Sequence, residues 1–392
     1  MLLSNAAENL IGQPMFKTLD EVQKLERDGK NILHFELGEP NFDTPKNITE
    51  AAIRSLRSGD THYVNSYGLY EFRTLIQETT LISRNFKPEI DQILITPGAN
   101  AIIYYVISCI LNPGDEVIIP NPGFPTYRSA ASFAGANIVD LPLYESNGFE
   151  VNVEDLKKII TSKTKLLILN SPSNPLGSVT SISVLKEIFK VADHYNFYIL
   201  SDEIYSRMIY GKSDDYNFFS IGSIDKCNDR TIILNGFSKA FAMTGWRVGA
   251  AIGPKNIINK MMLLLQTINS CVPAFIQKAA MEAINGDKTD VDKMMHLYKT
   301  NRDYLVEGLN SVKGISCSNP AGAIYAFPNI KQTNMSSYEF SSLLLNKMNI
   351  ATLPGSDFGN YGEGYVRFSF TNDFNSIKLA IKRIRDYFGD KV

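Results

Sequence analysis

Short runs of consecutive aliphatic residues alternate along this chain with stretches in which apolar positions recur every three or four residues. Uninterrupted apolar runs suit strands buried on both faces, and the 3.6-residue recurrence suits amphipathic helices. Between Ile93 and Gly253 the two patterns take turns. ILIT, EVIIP, NIVDLPL, KLLILN, FYILSD and TIIL read as strands, a further apolar strand follows Trp246, and segments such as SVLKEIFKVADHYN read as crossing helices. That alternation predicts an α/β fold with a largely parallel sheet and helices on both faces. Before it, Phe16, Leu19, Val22 and Leu25 mark a helix that Gly29 is placed to end, while Met1 to Asn9 carry little pattern and read as a loose arm. Thr44-Pro45 opens a helix to about Ser58. After Pro254 come a Met- and Leu-rich helix, the segment CVPAFIQKAAMEAING, and a long helix from about Asp290 to Val312, whose apolar residues suit an interface between lobes and subunits. From GISCSNPAGAIYAFPNI onward the pattern becomes hairpin-like strands with two helices, a small α+β lobe. The expected division is a large lobe over 45–284, and a small lobe from 1–44 and 285–392.

Composition narrows the setting. At 392 residues the chain exceeds a typical single core, which favours two lobes. A net charge of −2 gives no electrostatic reason to expect nucleic acid or an anionic membrane. Cys109, Cys227, Cys271 and Cys317 lie far apart with no CxxC pair and no signal peptide precedes them, so a reduced cytoplasmic protein is expected. The longest nearly apolar run, Ala101 to Leu111, is too short to span a bilayer and reads as a buried helix. Four scattered histidines with no HExxH argue against zinc, and no GxGxxG follows an early strand.

The chemistry gathers where strands end. In open α/β sheets ligands bind beyond the carboxyl ends of the strands, and three such ends supply Asn174, Asp202 and Lys239. Lys239 sits among Ala240, Phe241, Ala242 and Met243. Desolvation disfavours its ammonium, and a neutral amine can attack a carbonyl. Taken alone, the segment suits a solvated loop lysine equally well. Arg247 follows as an ion-pairing group suited to phosphate. Pro97-Gly98 is a tight turn into a helix starting near Ala99 and Asn100, whose free N–H groups could cradle phosphate or simply begin a structural helix. Gly38 lets a ligand approach the backbone, or serves a plain turn. Arg367, mid-strand among apolar neighbours, needs an anionic partner: a substrate carboxylate or a structural Asp or Glu.

The segments LGEPNFDTP, THYVNSYGLYEFR, TPGAN, NPGFPTY, NSPSNPLG, SDEIY, NGFSKAFAMTGWRVG, AGAIYAFP and VRFSF, in that order, resemble a pyridoxal phosphate (PLP)-dependent aminotransferase of class I/II. The resemblance covers roughly Gly38 to Phe370. It implies fold type I, with a mostly parallel seven-stranded sheet in the large lobe, and a homodimer with a shared active site. By the same resemblance Lys239 carries PLP as an internal aldimine, and Asp202 keeps the pyridine nitrogen protonated. Tyr205 and Asn174 contact the phenolic oxygen, and Phe124 stacks on the ring. Gly98, Ala99, Asn100 and Arg247 hold the phosphate, joined by Tyr63 from the other subunit. Gly38 and Arg367 bind the substrate α-carboxylate. A hydroxyl residue often stands where this chain has Gly236, and Ser238 is the candidate replacement. The implied activity moves an amino group between an α-amino acid and a 2-oxo acid by ping-pong turnover, with no metal.

Aspartate-preferring relatives often carry lysine where Asn100 stands. With Phe16, Tyr67, Phe124 and Tyr325 as pocket candidates, that favours apolar, aromatic or alanine-like donors. A carbon–sulfur lyase or amino-acid cyclase of the same fold would use nearly the same residues. A serine hydrolase is the remote alternative, since GFSKA at Gly236 to Ala240 falls one residue short of G-x-S-x-G, with His296 as the base available after it.

Overall fold

The computed structural model describes residues 3–8, 10, 12–210 and 218–390. A two-residue strand, β1 (Leu33–His34), precedes the main sheet, whose strands in chain order are β2 (Ile93–Thr96), β3 (Glu116–Asn121), β4 (Asn137–Pro142), β5 (Thr164–Asn170), β6 (Tyr198–Asp202), β7 (Thr231–Gly236) and β8 (Gly249–Ile252). They pair in the order β2-β8-β7-β6-β5-β3-β4. Every neighbouring pair is parallel except those that β8 makes with β2 and β7. The central strands are buried along their length, which is why they read as continuous apolar runs rather than alternating ones.

Helices cover both faces. The helix Ala99–Ile110 buries Ile102, Ile103, Val106 and Ile107, in a cluster that also holds Leu166, Ile168, Leu200 and Leu234 of the sheet. The helix Ile182–Tyr195 buries Leu185, Ile188 and Val191 in a second cluster with Leu167, Leu169 and Ile199. Residues that alternate along one strand thus feed two opposite cores.

The remaining strands are β9 (Tyr325–Ala326), β10 (Ile350–Ala351), β11 (Leu353–Pro354) and β12 (Val366–Ser369). An antiparallel sheet runs β11-β12-β9, and β1 pairs in parallel with β10. The helices Ser337–Met348 and Phe374–Phe388 pack with them through Phe340, Leu344, Ile377 and Ile381, completing the small α+β lobe.

Three local readings shift. β7 continues through Asn235 and Gly236, because pairing with Ala250 and Gly249 of β8 keeps these two turn-prone residues extended. Within the segment read as a loose arm, Asn5–Glu8 form one helical turn. The following helix spans Pro14–Arg27, with Pro in its first turn, where no N–H is needed.

Candidate active site

One edge of the main sheet collects the chemistry, and the strand directions explain why. β2, β3, β5, β6 and β7 all deliver their carboxyl ends there, and the residues just beyond them are Gly98, Phe124, Asn174, Asp202 itself and Lys239. The antiparallel β8 brings its amino end to the same edge: Gly249 lies opposite both Thr96 and Gly236, so Arg247 joins from the other direction. A cavity of about 180 Å³ opens there. Gly38, Ala99, Asn100, Phe124, Asn174, Asp202, Tyr205, Ser238, Lys239 and Arg247 line it.

Asp202 lies at its floor, 4% exposed. Oδ2 accepts from the Tyr127 hydroxyl at 2.6 Å and Oδ1 from the Ile204 N–H at 3.1 Å. Among the described residues no cation pairs with it. Burial therefore dominates and pushes its carboxyl up to about 6, against the pull of those two donors. Lys239 donates from Nζ to the Gly38 carbonyl at 2.5 Å. Burial, with Arg367 and Arg247 adding like charge, lowers its amine to about 8 although Glu39 pulls the other way.

Arg367 is fully buried on β12. Its Nη1 donates to Asn174 Oδ1 at 3.2 Å and its Nη2 to the Glu36 carbonyl, while Tyr325 and Phe358 place ring faces 4.5 and 5.1 Å from its guanidinium carbon. Nε has no partner, and among the described residues no carboxylate forms an ion pair with it, so the structural Asp or Glu is missing. Arg367 does not line the cavity wall itself but reaches it through Asn174. With Oδ1 committed to Arg367, the Asn174 amide has its Nδ2 left to donate.

At the β2 end, Gly98 caps the helix Ala99–Ile110 with φ +85° and no side-chain hydrogen bond satisfies that helix start. A Cβ at Gly98 would fall 2.4 Å from Arg247 Nη2, so the missing side chain is what lets the guanidinium stand over the first turn. Arg247 Nη1 is steadied by the Thr244 carbonyl at 2.8 Å. Together with the Ser238 hydroxyl group this makes an anion cradle of backbone N–H groups, a cation and a hydroxyl.

Two predicted contributors lie elsewhere. Tyr63 is 86% exposed and borders a separate surface hollow with His62, Asn269 and Phe275. Tyr67 is not a cavity residue: its hydroxyl bonds Asn259 at 3.0 Å and Arg73 covers its ring, so it holds that surface segment against a helix. Phe16, Phe124 and Tyr325 do line the cavity. Sequence reasoning missed Tyr127, Asn170, Thr244, Gln13 and Met15. Tyr127 stands three residues after Phe124 in NPGFPTY, one helical turn on, and that spacing was the available signal. Asn170, whose Oδ1 accepts from the Asn174 N–H at 2.7 Å, ends the apolar run KLLILN at the carboxyl end of β5, the same signal that marked Asp202.

The fold and the site define a type I aminotransferase architecture, and the comparisons agree. The model for the family "Aminotransferase class I and II" matches residues 30–384. The chain is 40% identical to an aspartate aminotransferase of Pyrococcus abyssi over 92% of this chain and 93% of that one. It is 37% identical to aromatic-amino-acid aminotransferase 2 of Thermococcus litoralis over 100% and 99%. The aspartate aminotransferase of Thermus thermophilus, solved with maleate, superposes with a TM-score of 0.93 at 30% identity, covering 98% of both chains. The chain belongs to the class I and II aminotransferase family and is a transaminase.

Proposed function

We propose that the protein uses PLP, bound covalently through Lys239, to move amino groups from an α-amino acid to a 2-oxo acid. The carrying observation is that an amine lowered to about 8 and a buried carboxylate lacking a cation face the same cavity. The residues fit the cofactor. Asp202 requires the positive partner that a protonated ring nitrogen offers, and the Gly98, Ala99, Asn100, Ser238 and Arg247 cradle suits its phosphate. Phe124 offers a ring face, and Tyr205 and Asn174 offer donors to the phenolic oxygen.

When bound, the cofactor supplies the electron sink for the pair left on the substrate Cα as its proton departs. The protein positions and moves that proton. Arg367, with the Gly38 N–H, would hold the substrate carboxylate and so fix the substrate Cα within reach of Lys239. Lys239 Nζ would take the proton from the substrate Cα and hold it for return. An amine near 8 suits both directions at neutral pH. Among the described residues no histidine lines the cavity, which removes the histidine base that a Ser238 hydrolase of the G-x-S-x-G kind would use.

A homodimer is part of the proposal. Residues 60–67 lie on the segment 259–275 through Tyr67–Asn259 and Gln266–Ser66 hydrogen bonds, leaving Tyr63, Tyr70, Leu263 and Ile268 exposed. A second copy would cover this face and bring Tyr63 to its neighbour's phosphate cradle. The parallel β1–β10 pairing supports assigning 1–44 together with 285–392 to the small lobe and 45–284 to the large. Four unpaired thiols suit a reducing, cytoplasmic setting, and no helix among the described residues is long and apolar enough to cross a membrane.

For the donor, the described residues lining the cavity include no lysine or arginine beyond Lys239 and Arg247, so a side-chain carboxylate finds no further charge partner from the same subunit. Neutral donors, aromatic or aliphatic, fit its mostly apolar wall. The test is the isolated half-reaction. PLP-loaded protein given an amino acid without acceptor converts stoichiometrically to the aminated cofactor, releasing one 2-oxo acid, and a second 2-oxo acid reverses it. Release of sulfide or a cyclic product, or half-conversion by Lys239→Ala protein, refutes the proposal.

A further inference from the structure

Tyr325 stands where the carboxylate-binding and ring-oxygen sides of the site meet. It is 1% exposed on β9, and its hydroxyl lies 2.8 Å from the Tyr205 hydroxyl, with the two rings nearly perpendicular at 83°. The Arg367 guanidinium carbon sits 4.5 Å from its ring centre. A Cβ at Gly38 would fall 1.9 Å from its Oη, so the backbone that accepts from Lys239 is pressed against the same hydroxyl.

A phenol has one proton to give and two lone pairs, so one of this pair donates and the other keeps its proton for a different acceptor. The surroundings choose the donor. Burial raises both phenols, Tyr205 well above the ordinary tyrosine value. Arg367 is the strongest influence pulling Tyr325 back. The phenol nearer the cation is the more acidic and the better donor.

We propose that Tyr325 is a positioning residue for amino transfer: its hydroxyl donates to Tyr205 and so leaves the Tyr205 proton directed at the cofactor's ring oxygen. This rests on the PLP reading above. A donated hydrogen bond makes Tyr205 itself a stronger donor, because bonded hydroxyls polarise one another. The anionic ring oxygen is stabilised in turn.

The experiment is a spectrophotometric pH titration of the visible band of the PLP-loaded protein, comparing parent, Tyr325→Phe, Tyr205→Phe and the double variant. Phenylalanine keeps the ring over Arg367 and removes the hydroxyl alone. Losing one hydrogen bond's worth of support moves the Tyr325→Phe midpoint up by about half to one pH unit. In the Tyr205→Phe background the same change moves it by less than about 0.2 unit, since the effect travels through Tyr205. A Tyr325→Phe midpoint equal to the parent's, with Tyr205→Phe shifted, overturns the proposal and leaves the PLP reading standing. Equal shifts in both backgrounds also overturn it, because Tyr325 would then act independently. An unmoved midpoint in Tyr205→Phe removes Tyr205 from the ring oxygen and takes the proposal down with that assignment.

Discussion

Replacing Asp202 with asparagine is expected to stabilise the cofactor-free protein while weakening its hold on PLP. Folding places this carboxyl under nearly complete burial and raises it from 3.8 to about 6. A group that binds its proton more tightly when folded makes the folded state lose stability as pH rises through the window between the two values. Over about 2 units, at about 1.4 kcal/mol each, the cost at pH 7 is about 3 kcal/mol. It vanishes below about pH 4, where both states are protonated. Asparagine has nearly the same shape and no charge, its oxygen can accept from the Ile204 N–H, and its amide can donate to the Tyr127 hydroxyl. Urea unfolding of cofactor-free protein at fixed protomer concentration should show Asp202→Asn more stable by about 1 to 3 kcal/mol at pH 7.5, the gain shrinking towards pH 4.5. Binding goes the other way. Removing one member of a buried charge pair costs about 2 to 5 kcal/mol, so PLP affinity, read by equilibrium dialysis, falls from about 30-fold to several thousand-fold. An Asp202→Asn protein that is less stable than the parent at pH 7.5, or that holds PLP within about threefold, would refute the reasoning.

Other substitutions probe the remaining parts. Arg367→Lys loses the planar fork shared between Asn174 and Glu36, and kcat/KM for the amino donor should fall by about 30- to 1,000-fold with the bound-cofactor spectrum unchanged; an effect below about threefold contradicts a carboxylate role. Gly38→Ala puts a methyl group 1.9 Å from the Tyr325 hydroxyl, so PLP should still bind while donor-driven conversion in a stopped-flow half-reaction slows by at least about 100-fold. If Tyr63 serves the neighbouring subunit, Tyr63→Ala and Lys239→Ala proteins, each inactive, should recover about a quarter of parent activity when unfolded and refolded together, because half of the dimers then hold one intact site. No recovery from a mixture shown to contain hybrids places Tyr63 outside the shared site.

How much of this could be read from the sequence follows from the range of the forces involved. The sheet was legible because β5, β6 and β7 are buried on both faces and so appear as unbroken apolar runs. Lys239, Asp202 and Asn174 were legible because polar residues just past such runs have one place to go, the edge where ligands bind, whereas Arg247 precedes the antiparallel β8 and was marked by its suitability for phosphate. Contacts that join distant segments left no local trace. The Arg367 environment draws Asn174 from beyond β5, the Glu36 carbonyl from the N-terminal region and two rings from the small lobe. No spacing rule connects those positions, and mid-strand location alone suited a structural ion pair equally well. Tyr67 shows the converse: an aromatic there suited a pocket, but its half-buried ring packs against the main core and its hydroxyl bonds Asn259, outside the cavity lining.

Asp202 shows why the least legible property is also the most informative. Its position after FYILS was readable, but not the absence of a counter-charge, since any of 39 Lys and Arg residues could have folded beside it. In the folded chain it has two neutral donors and no cation among the described residues. A protein optimised for stability alone would place asparagine there, which keeps the bond from the Ile204 N–H and reverses the one with Tyr127 without the cost of burying charge. The carboxylate therefore suits a cationic partner that the described residues do not themselves supply. Phe124 lines the same cavity and offers it a ring face. An anionic far end would meet Arg247 over the first turn of the helix Ala99–Ile110. A protonated pyridine bearing a phosphate, the cofactor proposed above, would suit all three features at once.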